Sequence, residues 1–323
     1  MATYRVGSKG PEILQIQTRL KTLALYNGPL DGEFGGGTEA AVKVFQKSNQ
    51  LEIDGQVGAI TWKALFNRKI PDPAIVSKPA DYKCLALTGA FETGVGIPEC
   101  FAGISGDFDG QGLSFGVLQW NFGQDSLQPL LKDMIKNNKK IVKSIFQDHY
   151  DVLIEALNAD KHELMQFARS IQHPIKHFVF EPWRGMFKAL GRTEEFQAIE
   201  QQYSNGLYKS ALKLCNDYGL KSERGVALMF DIKVQNGSIN KLVQAQIQRD
   251  FANLPASLSK EEIEVEKMKI IANRRAEASN PRWVEDVRAR KLCIAQGGGT
   301  IHGITYELDS QFGISLNNVD VSS

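Results

Sequence analysis

The chain has 323 residues, enough for about two domains with a sizeable core. Hydrophobic residues make up 42% and charged residues 23%, as in an ordinary folded protein, and a formal net charge of +1 gives no support to a nucleic-acid partner. No apolar run reaches membrane-spanning length, so no membrane insertion is expected, and the stretch Met1–Gly7 lacks the apolar core of a secretory leader.

Taken in chain order, the first feature is a pattern that occurs twice. Leu30-Asp31-Gly32-Glu33-Phe34-Gly35 precedes Thr38, Ala41, Val42 and Phe45-Gln46; Ile53-Asp54-Gly55-Gln56-Val57-Gly58 precedes Thr61, Ala64 and Leu65. In each copy an Asp-Gly turn leads through a second glycine to a threonine placed to cap the next helix, and apolar residues then recur at helical spacing. Three short helices are predicted: Pro11 to Leu23, with Ile13, Leu14, Ile16, Leu20 and Leu23 on its apolar stripe, then Thr38 to Ser48 and Thr61 to Phe66. Trp62 falls on the apolar phase of the third and is expected in the core. From Val6 to Phe66 the pattern resembles the peptidoglycan-binding domain of cell-wall hydrolases. That resemblance implies peptidoglycan as the partner and a wall-degrading enzyme behind the module.

Residues 71–80 hold Pro71, Pro73 and Pro79 with almost no periodicity, which reads as an extended linker between a binding domain over 1–70 and a catalytic domain over 81–323. In the second domain, apolar periodicity predicts helices over 82–92, 127–134, 139–157, 161–172, 183–189, 194–218, 222–235, 238–253, 260–277 and 281–295. Between Phe101 and Trp120, glycines at 103, 106, 110, 112 and 116 mark a small hairpin or tight sheet among these helices. The tail after Gly313 is expected to be loosely ordered. Cys84, Cys100, Cys215 and Cys293 form no Cys-x-x-Cys pair and are expected as buried thiols of a chain folded in a reducing cytoplasm.

Nucleotide-binding, zinc-peptidase and serine-hydrolase motifs are missing, and His173 and His177 form an i, i+4 pair with no third metal ligand in evidence, so neither metal nor cofactor is expected. Carboxylates remain. Glycoside hydrolysis needs one acid kept protonated by an apolar setting and one ionised group that activates water or attacks the sugar. Glu92 ends the apolar run Cys84 to Phe91, where Leu87 and Phe91 would partly desolvate it and raise its pKa. The glycine-rich hairpin supplies Asp107 and Asp109 as the second group, and places Ser114 on the face opposite Phe115. Glu99 is an alternative acid, but it stands in a proline-containing loop beside Cys100.

Glu92, followed after about 17 positions by Asp109-Gly110-x-Gly112-x-Ser114-x-Gly116, resembles the catalytic signature of the chitosanase branch of the lysozyme superfamily. The resemblance extends weakly through Leu207–Ala211, Tyr218–Leu220 and Gly225–Gly237. It implies that Glu92 is the general acid, Asp109 the base, and Ser114 the holder of the attacking water. Gln111 stands where chitosanases carry an arginine, and Ser126, with Asp125 beside it, stands where they carry an amine-reading aspartate. Loss of that carboxylate argues for an N-acetylated glycan. Gln111, Gln119, Trp120 and Asp125 are the expected glycan contacts. Gly116-Val117-Leu118-Gln119 also resembles the Gly-Leu-Met-Gln of lytic transglycosylases, which would need the glutamate alone.

The expected fold is mainly α: a three-helix binding module, a Pro-rich linker, and a lysozyme-like α+β domain. The expected function is an endolysin-type muramidase, monomeric, acting by inversion. A lytic transglycosylase, a chitosanase and an inactive wall-binding virion protein are the alternatives. Without a leader, the chain would reach the wall by holin-type release or by injection.

Overall fold

The computed structural model describes residues 3–8, 10–70 and 74–321, so residues 71–73 of the expected linker lie outside the described residues. Helices α1 (Pro11–Thr22), α2 (Gly36–Ser48) and α3 (Ala59–Phe66) form the N-terminal module. After a 3-10 turn at Ala74–Ser77, α4 (Ala80–Thr93) leads to three short strands, β1 (Ile104–Ser105), β2 (Ser114–Phe115) and β3 (Trp120–Asn121). Helices α5 (Leu127–Asn137), α6 (Lys139–Phe146), α7 (Tyr150–Asn158), α8 (Lys161–Ser170) and α9 (Trp183–Gly191) follow. Then come α10 (Glu194–Tyr218), α11 (Glu223–Asn236), α12 (Lys241–Ala252), α13 (Lys260–Glu277) and α14 (Val284–Gln296). The chain ends in strands β4 (Gly298–Ile301) and β5 (Ile304–Glu307) and helix α15 (Leu308–Phe312). The architecture is mainly helical with small sheets. Among the described residues no helix is long and apolar enough to cross a membrane.

By packing, the chain divides into two compact units, one of Met1–Leu87 with Leu207–Ser323 and one of Thr88–Gly206. In the first, the N-terminal module keeps a core of its own around Ile13, Ile16, Leu20, Val42 and Trp62. Trp62 is fully buried, as its helical phase requires, with the rings of Phe66 and Tyr4 at 4.4 and 5.7 Å.

The repeated sequence pattern is a repeated hydrogen-bond brace. Buried Gln17 of α1 donates through Nε2 to Asp31 Oδ1 at 2.8 Å and Glu33 O at 2.9 Å, and its Oε1 accepts the Gly32 N–H at 2.9 Å. Buried Gln46 of α2 repeats this with Asp54 Oδ1 at 2.7 Å, Gln56 O at 2.8 Å and the Gly55 N–H at 2.9 Å. Each helix thus locks the turn that launches the next, and the turns need glycine at φ +70° and +75°. Thr38 and Thr61 are not helix caps as expected. Gly35 and Gly58 hold the cap positions, and the two threonines lie inside the first turns, where the glutamine amides reach their hydroxyls at 3.4 and 3.2 Å.

In the rest of this unit, Ser222, Asn240 and Ser259 start α11, α12 and α13 by accepting the N–H three residues on, and Ser259 with Glu262 completes a capping box. Buried Asp231 of α11 accepts from Arg290 and Lys291 of α14 at 2.6 and 2.5 Å. The β4–β5 hairpin was not foreseen; its turn residues His302 and Gly303 both have positive φ, the conformation that a two-residue hairpin turn requires. The described part of the tail, residues 314–321, is also tied down, contrary to expectation. Ile314 is buried, Ser315 bonds Glu223, and the Val319 N–H reaches Lys221 O at 2.8 Å.

The second unit packs α5–α9 around the antiparallel sheet β1-β2-β3. Phe115 of β2 anchors its core, with Phe187 and Phe196 at 5.2 and 5.1 Å, and Phe146 stacks edge-on to Phe187. Trp183 belongs to this core as well. The helix predicted over 139–157 breaks at Gln147, whose φ of +44° interrupts the helical path between α6 and α7. Cys84, Cys100, Cys215 and Cys293 are all buried free thiols.

Candidate functional site

Glu92 stands in the last turn of α4, and missing side chains dock that turn onto the sheet. A Cβ on Gly89 would lie 2.1 Å from Val117 Cγ2 in the β2–β3 turn. A Cβ on Gly103, just before β1, would lie 2.8 Å from both Gln119 Nε2 and Thr93 Cγ2. These close approaches carry the Glu92 segment to the glycine-rich hairpin. The apolar setting expected for Glu92 is different in the structure: Leu87 and Phe91 are buried, while Glu92 is exposed. Successive helical residues turn by about 100°, so Glu92 points about 140° away from Leu87.

Asp107 and Asp109 share the loop between β1 and β2 but do different things. Both oxygens of Asp107 are engaged, by the Gly112 N–H at 2.7 Å and the Arg169 Nε–H at 3.1 Å. Burial works to raise its pKa, but the amide, the guanidinium and nearby His177 outweigh it and hold the carboxyl below the usual range. Asp107 is therefore an anion that braces the loop. Asp109 is exposed; one oxygen accepts the Gln111 N–H at 3.1 Å and the other has no partner among the described residues. Asp109 is thus the aspartate of the pair with an oxygen to offer a water.

Ser114 lies on β2 opposite Ser105 on one side and Asn121 on the other, and is 8% exposed. Its face is the one opposite Phe115, as the alternation predicted. Glu99, the alternative acid, is paired with Arg192 through two contacts of 2.6 and 3.0 Å, with Lys188 at 3.9 Å. That arrangement makes Glu99 an ion-pair partner.

The four expected glycan contacts separate in the same way. Gln119, at φ +54°, spends its amide inside the sheet, donating to Gly116 O at 2.8 Å and accepting from Ser105 Oγ at 3.0 Å. Half-buried Gln111 packs on Gly123, whose N–H it accepts at 2.9 Å. Trp120 is half-buried over Gly116. Exposed Asp125 accepts from Lys161 at 2.8 Å and Gln128 at 3.0 Å on the rim of an open groove of about 420 Å³ that Lys132 and Leu164 also line. His173 Nδ1 accepts the Ile175 and Lys176 N–H groups at 3.1 and 3.0 Å, and the His177 ring lies 5.4 Å from that of Phe108. The sequence reading missed Glu200 of α10, a fully buried carboxyl whose Oε1 accepts the Val117 N–H at 2.7 Å. The only signal in the sequence is a glutamate among the apolar residues Phe196 and Ile199 of a mixed helix.

Residues 9–65 match the family model of a peptidoglycan binding domain. Curated relatives include the spore cortex-lytic enzyme of Oceanobacillus iheyensis, 44% identical over 72 residues, which are 22% of this chain and 26% of that protein. The spore cortex-lytic enzyme of Bacillus subtilis is 43% identical over 61 residues, 19% of this chain and 20% of that one. The chain thus spans about a quarter of the length of the relatives it matches. Among solved structures, a chitosanase from Bacillus subtilis MY002 aligns with TM-score 0.41 and 16% identity over 68% of this chain and 87% of that one. A chitosanase from Gynuella sunshinyii aligns with TM-score 0.42 and 11% identity over 70% and 96%.

Proposed function

We propose that this chain is a peptidoglycan hydrolase that cleaves the β-1,4 bond between N-acetylmuramic acid and N-acetylglucosamine, with residues 1–70 as wall-binding domain and 81–323 as catalytic domain. One observation carries the reading: a peptidoglycan-binding module shares its chain with a helix-end glutamate docked on a glycine-rich sheet that presents a carboxylate and a hydroxyl. Glu92 protonates the leaving oxygen, Asp109 takes a proton from water, and Ser114 holds that water. The split between Asp107 and Asp109 supports Asp109 as base, and the Arg192 pairing of Glu99 supports Glu92 as acid. Inversion requires the two carboxyl groups to stand about 6.5–9.5 Å apart so that a water fits between the base and the sugar. Such an enzyme acts on the wall after release through a holin-type pore or injection.

The test is digestion of purified peptidoglycan with mass spectrometry of the soluble products. Reducing-end N-acetylmuramic acid is the expected result. Anhydro-muramic ends would replace the hydrolase by a transglycosylase working through Glu92 alone, turnover of chitosan instead would make it a chitosanase, and no glycan cleavage would leave a wall-binding protein.

A further inference from the structure

Glu200 has no exposed surface, and its Oε2 is buried without a hydrogen-bond partner among the described residues. Its Oε1 accepts the N–H of Val117, in the turn from Gly116 to Gln119 that returns β2 into β3. Val117 is also the side chain that fills the gap at Gly89, three residues before Glu92. Ser114 lies three residues before Val117 on the incoming strand. Gly116 fits the turn for two reasons: its φ is +88°, and a Cβ there would lie 2.3 Å from Glu200 Oε1. One carboxyl therefore sits beneath the joint between the helix that carries Glu92 and the strand that carries Ser114.

We propose that Glu200 is a positioning residue for the glycan cleavage proposed above: by holding the Val117 amide, it fixes the turn that sets the Glu92 end of α4 against the Ser114 strand. The proposal rests on that reading of the function. Glu200 is sealed from solvent, so it neither donates to nor accepts from the substrate. The turn needs an acceptor at that point, because a buried amide left unpaired is destabilising. Burial pushes the Glu200 carboxyl well above its ordinary range, and the Val117 N–H offsets this only in part. The buried thiol of Cys100 is pushed up by burial and, next, by the Glu200 carboxyl. Burial thus favours the neutral acid, and ionisation at high pH would put a desolvated charge beneath the turn.

The experiment compares the full-length wild type with E200Q and E200L on soluble glycan fragments across pH, together with hydrogen exchange at the Val117 amide. E200L, which lacks the acceptor, is expected to lose at least about tenfold in kcat with KM changed less than about threefold, as misplaced reacting groups do. Its Val117 amide is expected to exchange at least about tenfold faster. E200Q keeps a neutral acceptor, so it retains most of kcat and shows a flatter alkaline limb than wild type. Wild-type kcat and Val117 exchange in E200L would overturn the proposal, as would an E200Q that loses as much kcat as E200L. If E200L does not fold, the E200Q profile decides: a flattened alkaline limb supports the proposal and an unchanged one overturns it. Absence of cleavage by the wild type itself would overturn the hydrolase reading, and the positioning role with it, which separates that failure from an indifferent E200L.

Discussion

Replacing Gln46 by leucine tests whether the repeated brace governs the binding module. Leucine fills similar space but removes the donations to Asp54, Gln56 and Thr61 and the acceptor for the Gly55 N–H. These losses are unequal. The Asp54 carboxylate is exposed and rehydrates, whereas the Gly55 amide and the Thr61 hydroxyl belong to buried residues and stay unpaired. At about 0.5–1 kcal/mol for each partner that water can replace and about 1–2 kcal/mol for each one it cannot, the change destabilises the module by about 3–6 kcal/mol. Hydrogen exchange at the Gly55 amide in the full-length chain reads that figure as a rise in local opening of more than about a hundredfold. Binding to insoluble peptidoglycan is expected to fall in parallel. Lys43→Ala, which removes only the half-exposed i, i+4 pair with Glu39, serves as control at about 0.3–0.5 kcal/mol. A Q46L chain no more destabilised than K43A would refute the reasoning.

Three further outcomes follow from the same geometry. Glu92→Gln is expected to lower kcat at least about a hundredfold without loss of wall binding, while Glu99→Gln leaves kcat nearly intact and costs less than about 1 kcal/mol, as measured by turnover, pull-down and melting. Asp107 has its pKa held low in the folded chain, so its contribution is fully present above the unfolded aspartate value of about 3.9 and is lost as pH falls through the lower folded value. Asp107→Asn should therefore weaken Gly112 amide protection near neutral pH and match wild type in strong acid. Gly89→Ala puts a methyl against Val117 and should cost about 1–3 kcal/mol by overpacking, with kcat falling more than wall affinity.

The sequence makes some of these features legible and hides others for definable reasons. The Asp-Gly turns and apolar spacing reveal three helices because turn chemistry and periodicity are local. Gln17 stays invisible, since a glutamine inside α1 looks like a solvated residue until the turn it braces folds back upon it. Thr38 and Thr61 look like caps for the same reason; only the brace shows that they serve as its acceptors. Helices 194–218 and 260–277 are recovered at both ends, whereas 139–157 hides a break because nothing in its composition signals the positive φ at Gln147. At the candidate site, the sequence points to Glu92 as the desolvated carboxyl, but the buried one is Glu200, whose hydrogen-bond partner is 83 residues away in the chain. Periodicity reports which face of a helix is apolar; it does not report what long-range partner waits there.

The four sealed thiols make the chain a reporter of its own breathing. Burial raises the pKa of each, Cys293 to about 12, so little reactive thiolate forms while the fold is closed. A thiol reagent then labels each cysteine only as often as its surroundings open. Cys100 lies in the unit of residues 88–206, and Cys84, Cys215 and Cys293 lie in the other. Site-resolved labelling rates on the unmodified protein would therefore show whether the two units open together or one ahead of the other, with no probe introduced.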